Sequence, residues 1–172
     1  DLTKTLGKLG IDGKGELKIG DNDIKLVYLF HGINKDRWAT MKDSGVLDRI
    51  KELKEEGRIS YIGFSSHYAQ KKEIIEAIDS GIFDVCELPY NIFNRELGED
   101  GEVDILKHAK ENGLGIINMK AFNGNGMVPI YNMINDIVSI DYGKMLKFYL
   151  SNPYITTVDA GARYIDEYKQ DL

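Results

Sequence analysis

The sequence predicts an α/β fold built from parallel βα repeats, and two observations carry this prediction. Strand-like apolar runs start near residues 26, 59, 85, 115 and 156, with a mean spacing of about 32 residues. Amphipathic segments of helical period lie between these runs, and no connection carries a hairpin signal. Right-handed crossovers then make all the strands parallel, with the helices outside. At this spacing the 172 residues hold about five and a half units, whereas a closed eight-unit barrel needs roughly 250 residues.

The first elements are the least regular. Leucines at helical spacing predict the end of a helix over residues 2–9, and Gly10 is its expected stop. Residues 10–24 contain four glycines and mixed charges, which predicts an exposed loop or a small hairpin inserted before the first strand. The continuous apolar run 26–30 predicts a strand that is buried on both faces, as in a parallel sheet.

Helices and strands then alternate to the end of the chain. Ser44 is expected to cap a helix that turns Leu47, Ile50 and Leu53 inward and ends at Gly57. The further predicted elements are a strand over 59–64, a helix over 71–81, a strand over 83–89, a helix over 102–112, a strand over 114–122, a helix over 142–151, a strand over 155–161 and a last, partial helix. Residues 127–141 are predicted to be irregular.

Composition excludes several classes of protein. The 22 basic and 28 acidic residues give a net charge of −6, which argues against a nucleic-acid partner. The hydrophobic fraction of 42% is typical of a folded globular protein, and no apolar run approaches the ~20 residues of a membrane span. Cys86 is the single cysteine, so an internal disulfide or a cysteine-bound metal cluster is excluded. We therefore expect a reducing, cytoplasmic location and no metal.

Polar residues recur at the carboxyl ends of the predicted strands. Function collects at these ends in parallel α/β folds, because the loops that follow the strands meet at one edge of the sheet. The residues at these positions are His31, Ser65, Ser66, His67, Tyr90, Asn91, Lys120 with the glycine-rich run 123–126, and Gly161 to Arg163. The sequence therefore predicts one functional rim.

These strand ends resemble the aldo/keto reductase family, in the correct order. LVYLFHG at 26–32 resembles the family's fourth strand, which ends in an active-site His, and RISYIGFSSH at 58–67 resembles its fifth. Three further segments resemble later parts of the family, namely FDVCELPYN, GLGIINMKAFNGNG and LSNPYITTVDAGAR. The match runs from about residue 24 to the end, and residues 1–11 resemble the helix before strand four. The Ser-Ser-His and Met-Lys variants look most like a microbial branch that often carries a C-terminal ferredoxin-like region, which one cysteine cannot support.

The resemblance implies a fold and a reaction. The fold is a (β/α)₈ barrel, of which residues 1–172 would be a single partial domain that holds strands four to eight. The reaction is the NAD(P)H-dependent reduction of a small-molecule carbonyl to an alcohol by hydride transfer, with a Tyr hydroxyl as the proton donor and Lys and Asp as its partners. In the family these three residues lie on the first three units, so the chain alone is expected to be inactive.

The resemblance also assigns residues. His31 matches the His that orients the carbonyl oxygen. The residues that match cofactor positions are Ser65, Ser66 and Glu87 at the nicotinamide carboxamide, Lys120 where many members carry an aromatic ring, Gly161, Ala162 and Arg163 at the adenosine phosphate, and Glu167 and Asp171 at adenine. Arg163 is the candidate for a 2′-phosphate, which favours NADPH over NADH.

Simpler interpretations stay open at this point. His31 can be a structural histidine, the two serines can cap the helix that follows them, and Arg163 can form a surface ion pair. A second hypothesis is a non-catalytic half-barrel that binds partners through open sheet edges, covered by a second copy or by an N-terminal half. A third is an open, doubly wound sheet that binds a phosphate ligand, although no glycine fingerprint follows the first strand.

Overall fold

The structure is a computed structural model that describes residues 16–19, 22–123, 130, 133, 134, 137, 140–161 and 165–170. This part of the chain contains a two-stranded sheet and a five-stranded sheet. The helix predicted over 2–9 and the glycines of the run 123–126 lie outside the described residues.

The two-stranded sheet is an antiparallel hairpin that precedes the main sheet. It is formed by β1 (Glu16–Ile19) and β2 (Asn22–Lys25), with Glu16 opposite Lys25. It begins in the second half of the segment 10–24, for which the sequence predicted either a loop or a hairpin. A single residue, Leu26, separates the hairpin from the main sheet.

The five-stranded sheet confirms the α/β class with parallel strands. Its strands are β3 (Val27–Ile33), β4 (Tyr61–Ser66), β5 (Val85–Pro89), β6 (Gly115–Met119) and β7 (Thr157–Val158). Every pair of neighbours is parallel, and the strands stand side by side in chain order. A doubly wound sheet reverses its strand order at one point, and these five strands do not. The third hypothesis is therefore wrong for the sheet that the structure describes.

Six helices are described between and after these strands. They are α1 (Lys35–Asp43), α2 (Val46–Glu55), α3 (Lys71–Asp79), α4 (Ile105–Glu111), α5 (Tyr142–Ser151) and α6 (Ile165–Gln170), and a short 3₁₀ turn covers Tyr68–Gln70. The bounds of α5 are those predicted, and α3 and α4 lie within their predicted ranges. Within the described residues, no helix is long and apolar enough to cross a membrane.

The region around α1 corrects the sequence prediction. The helix was not predicted, because Trp38 and Met41 are the two residues that it buries and its other positions are mostly charged or polar. Asn34 caps it by accepting a hydrogen bond from the backbone N–H of Arg37 at 3.0 Å. The predicted cap at Ser44 is wrong, since Ser44 ends α1 and Gly45, with φ of +72°, precedes α2.

The two faces of the main sheet differ in burial. On one face Phe64, Cys86 and Ile116 lie side by side in register and are fully buried. Crossovers of one hand place the helices on this face. On the opposite face Val27 and Tyr61 are paired neighbours that stay 39% and 42% exposed. We call this second side the inner face, and the functional rim lies at its carboxyl edge.

Candidate functional site

His31 lies in a β-bulge at the carboxyl end of β3. Phe30 pairs with Phe64 and Ile33 pairs with Ser66, so β3 contains one residue more than β4 between these two pairs. The extra length is taken up at His31 and Gly32, where Gly32 adopts a φ of +65° that favours glycine. Bulges of this kind redirect a side chain, and they are frequent beside active sites.

The two serines of β4 hold the backbone of β3. Ser65 is only 2% exposed, and its Oγ accepts a hydrogen bond from the N–H of Gly32 at 2.8 Å. The same Oγ lies 3.4 Å from Nδ1 of His31. The buried hydroxyl of Ser66 donates to the carbonyl oxygen of Ile33 at 2.7 Å. The structure therefore brings Ser65 and His31 together, while the role of both serines toward a cofactor stays a prediction.

Arg37, on α1, is a residue of this site that the sequence did not reveal. Its Nη1 donates to the carbonyl oxygens of His31 at 2.9 Å and Gly32 at 3.1 Å. The helix that carries Arg37 was not predicted, so no pattern placed this side chain beside the strand. A cavity of about 320 Å³ opens here and is lined by Phe30, His31, Ile33, Asp36, Arg37, Thr40 and Met41. Of the predicted site residues, His31 is the one that lines it.

Two carboxyl groups lie along the rim, one on β5 in the middle of the sheet and one after β7 at its end. Glu87 is the register partner of Ser65, so its side chain lies on the inner face, where it is partly buried. Partial burial, and then the charge of Asp159, raise the pKa of Glu87, while the neighbouring His31 acts in the opposite direction. Asp159 follows β7 and was not singled out from the sequence, because it lies inside the strand predicted over 155–161, which is longer than β7. Within the described residues, no group of three or more His, Cys, Asp or Glu side chains is placed so that it could hold a metal ion.

Basic residues follow the two strands that flank β5. His67 follows β4, and its pKa is lowered first by partial burial and then by the charges of Lys120 and His31. Lys120 follows β6 and is exposed. Its φ of +55° is unusual for a residue with a side chain. The strand-end residues that the sequence predicted on one rim thus interact electrostatically across β3, β4, β5 and β6.

Asn91 fixes the loops on this side of the rim. Its side chain is fully buried, and Nδ2 donates to the hydroxyl of Tyr68 at 3.0 Å, to the carbonyl oxygen of Lys120 at 3.2 Å and to Oδ1 of Asn123 at 3.5 Å. Its Oδ1 accepts from two backbone N–H groups of the following turn. Asn123 also has a positive φ, of +58°. The amide therefore ties the turn after β4 and the loops after β5 and β6 into one unit.

The remaining predicted residues belong to the adenosine end. Gly161 is described and exposed, and a Cβ built on it would meet no atom within 4 Å. Ala162, Arg163, Asp171 and the side chain of Glu167 lie outside the described residues. The adenosine end of the site therefore stays a prediction.

Comparison with known proteins adds one finding. The model of the aldo/keto reductase family matches residues 19–138, which is more than two thirds of the chain. The matched stretch contains β3 to β6 and, with them, His31, Ser65, Glu87 and Lys120. No curated protein matches the chain.

Proposed function

Because the chain belongs to the aldo/keto reductase family, we propose that it contributes one wall of an NAD(P)H-dependent oxidoreductase that reduces a carbonyl to an alcohol. In this proposal the five parallel strands are strands four to eight of the barrel. The proton-donating Tyr and its Lys and Asp partners belong to barrel units outside this chain. The observation that carries the proposal is the bulge that presents His31, in contact with Ser65, at the carboxyl edge of the sheet.

Polar side chains of the rim that make no hydrogen bond among the described residues are available to bind the cofactor. Bound NAD(P)H supplies the hydride in this chemistry. Glu87 makes no hydrogen bond with its side chain among the described residues, and it lies beside Ser65 on the inner face. Its carboxyl oxygens can accept hydrogen bonds from the amide group of a nicotinamide carboxamide, at the position where the family usually has an amide side chain.

His31 acts on the substrate in this proposal. Nδ1 of the ring lies near Ser65, while on the other side of the ring Nε2 makes no hydrogen bond among the described residues, and the residue as a whole is exposed. An N–H on that side donates to the carbonyl oxygen and withdraws charge from it, so the carbonyl carbon accepts a hydride more readily. The exposed Lys120 adds positive charge to the same edge.

Nucleotide binding tests the cofactor assignment. We expect fluorescence titration to show that the chain binds NADPH, and that Arg163→Ala weakens NADPH binding by about tenfold or more, the loss of one charge-assisted contact, while NADH binding is unchanged. Arg49→Ala is the matched control, since Arg49 pairs with Glu52 and Glu56 on the exposed side of α2. Failure of both nucleotides to bind contradicts the cofactor role of this wall.

Turnover tests the assignment of the proton donor. We expect the 172 residues alone to oxidise no NADPH in the presence of small aldehydes and ketones, because the Tyr with its two partners lies outside them. The measurement is the loss of NADPH absorbance. Turnover by the chain alone contradicts the place given to the proton donor.

A second candidate function is association without catalysis, and the open parts of the sheet favour it. Among the described strands, β3 and β7 each pair with one neighbour, and the inner face leaves Tyr61 exposed. Unpaired edges beside apolar side chains promote association. We expect sedimentation velocity to show dimers that Tyr61→Glu dissociates, while Phe148→Glu, at a similarly exposed position on α5, does not. A monomer at all concentrations contradicts this second function.

A further inference from the structure

We propose that Arg37 and Ser65 are positioning residues for His31, which fix the bulge in one conformation and hold the neutral imidazole with its proton on Nε2. The inference deepens the proposed function. It rests on that function for one point only, which is that His31 acts on a carbonyl oxygen. The position of the proton itself follows from the contacts of this chain alone.

The first step concerns the backbone of the bulge. Successive carbonyl groups of a regular strand point in opposite directions, so one donor does not reach both. Here a single atom, Nη1 of Arg37, lies 2.9 Å from the carbonyl oxygen of His31 and 3.1 Å from that of Gly32. The left-handed Gly32 turns its carbonyl to the same side. The guanidinium therefore stabilises the bulged conformation and, with it, the direction in which His31 leaves the strand.

The second step concerns the hydroxyl of Ser65. A serine hydroxyl has one proton to donate and two lone pairs that accept. One lone pair of Ser65 is taken by the N–H of Gly32 at 2.8 Å. The side chain is almost fully buried, so its proton needs a protein acceptor. Among the described residues, the acceptor that lies within reach is Nδ1 of His31 at 3.4 Å.

The third step gives the chemical consequence. Because Nδ1 accepts the proton of Ser65, it carries the lone pair, and the proton of the neutral ring lies on Nε2. Nε2 makes no hydrogen bond among the described residues, and His31 is an exposed residue. The N–H is thus free to donate to an oxygen at the rim. The other tautomer would present a lone pair there and repel a carbonyl oxygen.

Nitrogen-15 NMR of the histidine rings tests the tautomer without any cofactor. The chain has three histidines, so His67→Gln and His108→Gln assign the signals of His31. In the alkaline range, where histidine is neutral, we expect one ring nitrogen of His31 to be unprotonated and identified as Nδ1. Ser65→Ala should give a mixture of tautomers. Ser60→Ala is the control, because Ser60 accepts the N–H of Leu26 at the other end of the same strand pair, far from His31.

The Arg37 variants test the backbone clamp in the same experiment. We expect Arg37→Ala to broaden or double the ring signals of His31, Arg37→Lys to restore them in part, and Arg49→Ala to leave them unchanged. A proton on Nδ1 in the native chain, or His31 signals that neither Ser65→Ala nor Arg37→Ala alters, overturns the proposal. Circular dichroism of each variant verifies that it is folded. An Nε2 proton in a chain that binds no NADPH leaves this inference standing and contradicts the cofactor assignment.

Discussion

The two halves of the functional rim are built differently. In the half formed by β3 and β4, hydroxyl and guanidinium groups are already bonded to the protein, and they hold one side chain, His31, in a bulge. In the half formed by β5 and β6, the side chains of Glu87 and Lys120 make no hydrogen bond among the described residues, and Asn91 holds the backbone around them. The first half aims one group, and the second presents charged groups that a ligand can use.

The two halves use their polar contacts for different purposes. A catalytic side chain needs a fixed direction, which a set of internal hydrogen bonds provides. Residues that bind a ligand need unused donors and acceptors, so the loops must be fixed through their backbone instead. Variants that remove the support of each half separately can therefore distinguish the two designs.

The largest effect is expected at Asn91. Asn91→Ala removes a fully buried amide whose two protons and two lone pairs are all used in hydrogen bonds, and at about 0.5–1.5 kcal/mol each we expect the free energy of unfolding to fall by about 3 kcal/mol or more. Urea unfolding measures this change. The exposed Asn112, whose amide donates to the carbonyl of His108, is the control, and its replacement should cost about 0.5 kcal/mol. Equal costs for the two variants would show that Asn91 is not the support of its half.

A smaller effect is expected at Gly32. An alanine with a left-handed backbone costs roughly 1–2 kcal/mol, and this cost applies equally to Gly32→Ala and to Gly45→Ala, since Gly45 has a φ of +72°. A Cβ at Gly32 would also lie 2.9 Å from Nη1 of Arg37, whereas a Cβ at Gly45 meets no atom within 4 Å. The new methyl group displaces the guanidinium from its two carbonyl partners, which adds up to about 1 kcal/mol.

A double-mutant cycle sharpens this result. In an Arg37→Ala background the clamp is already absent, so we expect the two glycine variants to cost the same free energy of unfolding. If the excess cost of Gly32→Ala persists without Arg37, the clamp is not its cause.

The sequence predicted the fold well wherever periodicity was strong. Five strands and the helices over 71–79, 105–111 and 142–151 follow from apolar runs and from glycine stops such as Gly81. It failed at α1, because a helix that buries two residues leaves a weak apolar pattern. The sequence also placed the N-cap of α2 at Ser44, one residue too early, because a serine just before an apolar stretch is the usual signal of an N-cap.

The sequence indicated which residues lie at the edge of the sheet, but it did not indicate which of them contact each other. The rule that function collects after parallel strands singled out His31, Ser65 and Lys120 without any contact being known, and the resemblance to the family added Glu87. Arg37 was missed because it reaches the site from a helix, and Asp159 because it lies inside the strand predicted over 155–161, with Glu87, whose pKa it raises, 72 residues away in the chain. Long-range pairs of this kind depend on the register of the sheet, which local patterns do not encode.

The smallest effect is expected at Glu87, and it has a definite sign. Partial burial and Asp159 raise the pKa of Glu87 in the folded chain above its ordinary value of 4.5, so folding favours the protonated carboxyl. Stability contributed by this group is then fully present below about pH 4.5, and it is lost as the pH rises through the folded pKa. We expect Glu87→Gln, which keeps the shape and carries no charge, to be more stable than the native chain at neutral pH, by a difference that shrinks toward acid pH. Urea unfolding across this pH range measures the difference, with Glu55→Gln on the exposed side of α2 as the control. A difference that is constant with pH, or that has the opposite sign, would show that Glu87 is already satisfied by the protein, and the contrast between the two halves of the rim would then be lost.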